Sequence, residues 1–230
     1  MKGTRDDLGN RMKEQYENRT RYYLPRRTYT IVRIDGKCFH NYTKGLEKPY
    51  DKEFNRCMDL TAKDVLSNMD GSEFVYTQSD EISILLTDFG NLDTQAWFDG
   101  NLQKIVSISA GIASAYFNLH HDHGRVGVFD ARAFTIQDPN EVANYFLWRT
   151  RDCIRNSISM LAQHHFSHKV LHGKSTTEMQ DLLVLEKGVN WNNEPARFKT
   201  GSLQTRNESV EIPKDNLFDF YNKLIPRIPQ

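Results

Sequence analysis

Cysteine is scarce in this chain of 230 residues: Cys38, Cys57 and Cys153 make an odd count with no CxxC pair. That speaks against a disulfide scaffold or a cysteine-rich zinc module, and free thiols in a reducing cytoplasm are expected. Long apolar runs are missing as well. None reaches the ~18 residues that a membrane-spanning helix needs, and the opening Met1-Lys2-Gly3-Thr4-Arg5-Asp6-Asp7 lacks the apolar core of a secretion signal. No membrane partner is expected. Neither sign of charge is in surplus, since 30 Lys and Arg stand against 30 Asp and Glu, so the whole chain is no polybasic nucleic-acid binder. Repeats and low-complexity tracts are absent too. What is present, 38% hydrophobic and 26% charged residues, is the balance of a folded protein and excludes a disordered one. The even total hides one asymmetry: residues 1–56 carry 14 basic and 8 acidic side chains, a net of +6, which leaves −6 for the rest. A local basic surface of this kind can meet phosphate, and equally can be an ordinary solvated face.

Hydrophobic spacing predicts a helix over residues 4–18, with Thr4 and Asp7 as its cap and Leu8, Met12 and Tyr16 on one face. Residues 29–34 are a β-branched run ending at Asp35-Gly36, apolar on both faces, as in a strand inside a covered sheet. A helix follows over 53–69. Residues 73–77 and 82–87 alternate as strands, and Gln78-Ser79-Asp80-Glu81 between them reads as a hairpin tip bearing two carboxylates. A helix rich in small residues is predicted over 102–119 and a strand over 125–134. Asp138-Pro139-Asn140-Glu141 opens a long helix to about Gln163, and Ser175 with Glu178 caps another. The order β-α-β-β-α-β fits an α+β fold: a ferredoxin-like sheet with helices on one face and additional N- and C-terminal helical segments.

Asp35 ends a covered strand before a glycine, and Asp80 sits on a hairpin of the same expected sheet. If the strands are neighbours, both carboxylates enter one concave site. Mg²⁺ takes one or two carboxylates together with substrate phosphates, and two such ions ~4 Å apart activate an attacking oxygen and neutralise a leaving group. Gly36 lets its backbone approach a metal with no side chain in the way. The same residues also suit a plain turn and a solvated hairpin tip, because Asp and Gly are common turn formers.

Arg33-Ile34-Asp35-Gly36-Lys37-Cys38-Phe39-His40, then Lys48-Pro49-Tyr50-Asp51, then Gln78-Ser79-Asp80-Glu81, resembles the tRNA-His guanylyltransferase family, the 3′–5′ polymerases. Phe129-Asp130-Ala131-Arg132, Tyr145-Phe146-Leu147-Trp148-Arg149 and Asn190-Trp191-Asn192-Asn193 with Lys199 and Gly201 extend the resemblance over roughly residues 5–201. The resemblance implies a polymerase palm: one catalytic domain over 1–230, with a palm-like core at about 28–137 and a C-terminal helical extension at about 138–230. It implies two Mg²⁺ ions on Asp35, the Gly36 carbonyl and Asp80, with Glu81 supporting the catalytic carboxylates. The nucleotide triphosphate, ATP, GTP or another, would be held by Asp35, Gly36, Lys37, Cys38, Phe39, His40, Ser79 and Asp80. Lys48 and Asp51 join this nucleotide-binding set, Asp51 accepting from a guanine edge, and Lys104 resembles a lysine that holds a triphosphate. The implied partners are tRNA, nucleotide triphosphates and a second, third and fourth copy of the chain, a homotetramer.

One stretch departs from the family pattern. Members that guanylylate tRNA-His carry a His-Ile-Asn-Asn type motif after the cysteine of the long helix, where this chain has Cys153-Ile154-Arg155-Asn156-Ser157. Met179 stands where a lysine is common. The Arg155-Asn156-Ser157 form resembles the guanylyltransferase-like branch that repairs truncated tRNA 5′ ends against a template, and Met179 further weakens transfer of tRNA-His specificity. A tRNA-His guanylyltransferase adding a single G, a nucleotide cyclase on a palm-like sheet and a non-catalytic RNA-binding subunit remain as alternatives. Gly173-Lys174-Ser175 suits a helix cap better than a phosphate loop, because His168 stands where the first glycine would be. His120-His121-Asp122-His123 has no evident partner cluster for a metal.

Overall fold

Alternating side chains give the central strand two buried faces, and the fold is built outward from it. The structure, a computed structural model, describes residues 6–228. In chain order its elements are α1 (Asp7–Gln15), β1 (Tyr29–Gly36), α2 (Phe39–Tyr42), α3 (Lys52–Asn68), β2 (Ser72–Gln78), β3 (Glu81–Leu86), α4 (Leu102–His120), β4 (Phe129–Ile136), α5 (Pro139–His165), α6 (His168–Leu171), α7 (Thr176–Lys187), α8 (Ala196–Thr200), β5 (Ser202–Thr205), β6 (Ser209–Val210) and α9 (Leu217–Leu224). The sheet order is β4-β1-β3-β2-β5-β6 with antiparallel neighbours throughout. Its first four strands have the expected ferredoxin-like arrangement.

Val32 and Ile34 of β1, Val75 of β2 and Ile82 and Ile84 of β3 pack against Phe54, Met58, Ala62 and Val65 of α3 and Ile105, Ala113 and Phe117 of α4. The opposite parity (Tyr29, Ile31, Phe74, Tyr76, Leu85) meets Val142, Tyr145 and Phe146 of α5 and Tyr221 of α9. The palm-type helices α3 and α4 thus share one face, and the C-terminal extension covers the other. A third cluster, Leu161, Ala162, Leu171, Leu183 and Phe198, ties α5 to α6, α7 and α8.

Several bounds shift. Asp6 caps α1 by accepting from the Gly9 amide at 2.8 Å, while the expected cap Thr4 lies outside the described residues. The strand expected from residue 125 starts at Phe129, because side chains replace the ladder before it: Asn118 brackets Gly127, accepting from its amide at 2.8 Å and donating to its carbonyl at 2.7 Å. The C-terminal extension is not wholly helical. The four residues of β5 and two of β6 continue the sheet beyond β2, too short to leave a readable period. Among the described residues no helix is long and apolar enough to cross a membrane.

The α9 lock rests on Tyr221, fully buried against Phe146, with its hydroxyl 2.6 Å from Thr150 Oγ1. Tyr221→Ala is expected to cost ~3–5 kcal/mol in urea unfolding, whereas Tyr221→Phe, which loses only the hydrogen bond, should cost ~1–2 kcal/mol. Equal losses for the two would refute the packing argument.

Candidate active site

Asp35, at the end of β1, lies directly across from Glu81 on β3 and Asp130 on β4. Opposed residues of an antiparallel pair share a face, so three carboxylates stand abreast. The ion pairs of this face go to the outer two. Arg149 of α5 donates from Nε to Glu81 Oε1 at 2.7 Å and from Nη2 to Oε2 at 2.6 Å, and Arg33 Nε lies 4.0 Å from Oε2. Arg132 lies 3.8 Å from Asp130 at the exposed edge. Here the structure corrects the sequence reading: Glu81 is not at the hairpin tip but is the first residue of β3, buried, with both oxygens held by Arg149. It is an anchor for α5 and not a free catalytic carboxylate.

Asp80 occupies the two-residue turn between the paired Gln78 and Glu81, beside Ser79, whose φ is +44°. A non-glycine residue in that region is strained and persists where its surroundings hold it. The Gly36 amide donates to the Asp80 carbonyl at 3.1 Å, joining the end of β1 to the turn. A Cβ on Gly36 would lie 2.8 Å from Asp80 Oδ2 and 2.4 Å from the Phe39 ring, so only glycine permits this approach. Burial, reinforced by the charge of Asp35, pushes the Asp80 carboxyl up to about 6.

The loop after β1 divides its residues by exposure. Phe39 is buried against Phe54, Phe117 and Phe129, so it supports the loop from below. Lys37, Cys38 and His40 face solvent, with Cys38 in the left-handed region at φ +57°. Next to the loop opens a cavity of about 300 Å³ that Lys48, Asp51 and Ser79 line from one side and Asn156, Gln163 and Arg197 from the other. Asp51 caps α3, accepting from the Phe54 amide at 2.9 Å and the Glu47 amide at 3.1 Å. Its burial would raise the carboxyl, but these amides outweigh that and hold it below its ordinary value. Lys104 is not brought to this site within the chain. It stands at the start of α4, over the Phe98 ring at 5.6 Å, about 20 Å along the helix from Phe117, which packs beneath the loop.

Sequence reasoning missed Arg149 as an ion-pair partner and Arg197 as a cavity wall. A glutamate opening a covered strand was the available signal, since a buried charge requires a partner. Trp148 is 48% exposed, while Tyr145 and Phe146 of the same stretch are buried.

As to a metal, the described residues contain no group of three or more His, Cys, Asp and Glu that could enclose an ion. Asp35 and Asp80 on adjoining strand ends, beside the side-chain-free Gly36, are instead a partial oxygen set. That suits a hard divalent cation which completes its shell with water and phosphate.

An antiparallel β4-β1-β3-β2 sheet with paired aspartates at its strand ends and a nucleoside-sized cavity beside them defines a palm-type nucleotidyltransferase fold. The Thg1 family model, described as tRNAHis guanylyltransferase, matches residues 9–137. The chain belongs to this family of nucleotidyltransferases. It is 43% identical to a bacterial tRNA(His) guanylyltransferase (Thg1)-like protein solved in complex with ATP, with a TM-score of 0.86, covering 94% of this chain and 98% of that one. A structure of such a bacterial protein in complex with GTP gives 40% identity and a TM-score of 0.80, over 95% and 99% of the two chains. The tRNA(His) guanylyltransferase of Candida glabrata is 31% identical over 221 residues, 84% of this chain and 91% of the relative.

The Asp80 carboxyl gives a pH prediction. Raised to about 6 in the folded chain, against about 4 unfolded, it makes the native state bind its proton more tightly, so stability falls as pH rises between these values. Relative to wild type, Asp80→Asn should therefore gain nothing in acid and on the order of 1–3 kcal/mol above the window, in chelator. Added Mg²⁺ should raise the melting midpoint of wild type and not of the variant. Identical pH–stability curves for the two proteins would remove the argument.

Proposed function

We propose that this chain adds nucleotides in the 3′–5′ direction to the 5′ end of tRNA, and that it does so in templated repair of truncated ends. The observation that carries the reading is the Asp35–Asp80 pair at adjoining strand ends, opening beside the cavity that Lys48 and Asp51 line. Likeness to Thg1-like proteins bound to ATP and to GTP supports both nucleotides as substrates. The Arg155-Asn156-Ser157 sequence favours repair over addition of a single fixed G, and Asn156 and Ser157 border the cavity.

Two transfers make up the reaction. A 5′-phosphate oxygen of the RNA attacks the α-phosphorus of ATP; the bond to pyrophosphate breaks and an adenylylated 5′ end forms. The 3′-hydroxyl of an incoming nucleotide then attacks the RNA 5′-phosphorus, and AMP leaves. A 5′-triphosphorylated end skips the first transfer. Asp35, Asp80 and the Gly36 carbonyl would hold two Mg²⁺ ions, which when bound neutralise charge on the phosphates and the leaving group. The protein's own part is to orient. Lys37, His40 and Lys48 offer donors to the triphosphate, the cavity between Asp51 and α5 receives a base, and Phe39 fixes the floor. Base pairing within the RNA supplies the template, while the protein contacts phosphate and shape. We read the active assembly as a homotetramer, which light scattering on the purified protein decides.

The test is extension of 5′-labelled tRNA, full length and lacking its first nucleotide, with ATP, each NTP and Mg²⁺. Repair predicts addition matched to the opposing base. A lone G on tRNA-His whatever the opposing base would place the enzyme in the single-addition class, and NTP turnover with no RNA extended would favour a cyclase. Asp35→Ala should lose at least about 10³-fold in transfer and keep RNA binding within about threefold, since the RNA is held by phosphate contacts elsewhere.

A thiol probe checks nucleotide binding without catalysis. Cys57 and Cys153 are buried, and burial pushes both thiols up to about 11, whereas Cys38 is exposed in the loop. Native protein should release one thiol equivalent quickly to Ellman's reagent, and Mg-ATP should slow that release. Fast labelling unaffected by Mg-ATP would place the nucleotide elsewhere.

A further inference from the structure

The loop that carries Lys37, Cys38 and His40 is not held by its own secondary structure. Helix α2, which ends it, has four residues, too few to persist alone, and its last carbonyls lack partners within the helix. Thr43 donates to the Phe39 carbonyl at 2.8 Å and Lys44 only at 3.3 Å to that of Asn41, and residues 121–128, between α4 and β4, provide the remaining partners. Arg125 Nη1 donates to the carbonyls of Asn41 at 2.8 Å, Tyr42 at 2.9 Å and Lys44 at 2.9 Å. From the same connection, Val128 accepts from the Lys37 amide at 2.8 Å. His121 Nδ1 lies 2.7 Å from the Tyr42 hydroxyl, both side chains buried. Tyr42 stacks on Phe39 at 4.9 Å, and Phe39 occupies the space beneath Gly36. A continuous set of contacts therefore runs from Arg125 to the Gly36–Asp80 junction.

We infer that Arg125 is a positioning residue for the nucleotidyl transfer: its side chain clamps the end of α2 and so sets where the loop from Lys37 to His40 presents its donors, without touching substrate. The inference rests on the function proposed above. The chemistry fits the task. A cation at a helix C-terminus meets carbonyl charge of opposite sign, and one nitrogen reaches three carbonyls by sharing a hydrogen. Arg125 is itself exposed, so its loss opens no core.

Arg125→Ala, Arg125→Gln and Arg125→Lys separate the possibilities. Ala and Gln should raise the KM for ATP about tenfold and leave kcat within about threefold, with the melting midpoint unchanged. Lys, whose ammonium has three N–H donors for the same carbonyls, should restore most of the affinity. Amide hydrogen exchange across residues 37–44 should quicken in Ala and Gln while the sheet stays protected. A wild-type KM in Arg125→Ala, or a lysine variant no better than glutamine, would overturn the inference. So would unchanged exchange in that segment. Exchange is read on the protein alone, so it decides the positioning claim even for a preparation that transfers no nucleotide, an outcome that would count against the proposed function instead.

Discussion

Asp35 stands between Glu81 and Asp130 in the ladder, with Asp80 on the adjoining turn, and like charges directly opposite one another in a sheet repel. The rest of the site follows from how that crowding is relieved. Glu81 takes a bidentate arginine from α5, and Asp130 leans toward Arg132 in solvent. Asp35 and Asp80 receive neither, and the Asp80 carboxyl rises to about 6 as burial and Asp35 act on it. The inner pair of carboxylates is thus set apart from its neighbours by the absence, among the described residues, of an ion-pair partner. Holding a buried carboxyl beside a second one costs stability, as functional sites commonly do.

The Glu81–Arg149 pair also settles how the two halves of the chain meet. Buried ion pairs are weak sources of net stability, but breaking one partner leaves a stranded charge costing ~3–5 kcal/mol. The pair therefore acts as a registry device. With Tyr145 hydroxyl 2.8 Å from Ser83 Oγ, it fixes α5 against β3 beside the strand end that carries Asp35. The consequence appears about two turns further along α5, where Asn156 lines the same cavity as Lys48 and Asp51. The C-terminal extension is thus a wall of the site as well as a cover for the sheet.

Much of this was legible in the sequence. The covered strand before Asp35-Gly36, the hairpin around Asp80, the long capped helix from Pro139 and the β-α-β-β-α-β order all follow from local periodicity and cap chemistry. What was not legible depended on long-range contacts. Alternation left Glu81 at the hairpin tip, and only the Gln78–Glu81 pairing and the approach of α5 show that it opens β3 and that Arg149 claims it. Lys104 was assigned to the triphosphate by resemblance, and helix length carries it to the far end of α4. Strands β5 and β6 are too short for any pattern, and exist because β2 offers an edge.

The loop from Lys37 to His40 shows the same division at smaller scale. Its sequence names the donors, yet two of its features are unfavourable locally: Cys38 in the left-handed region and a helix of one turn. Local preference would not select this conformation. It is selected by Phe39 entering the aromatic cluster of Phe54, Phe117 and Phe129, and by carbonyl and amide partners arriving from residues 121–128. Burial of one side chain turns its neighbours outward, so Lys37, Cys38 and His40 become exposed because Phe39 is buried. The outward side chains of the loop are therefore placed by packing beneath them, which is how a rigid core can aim a short, strained loop.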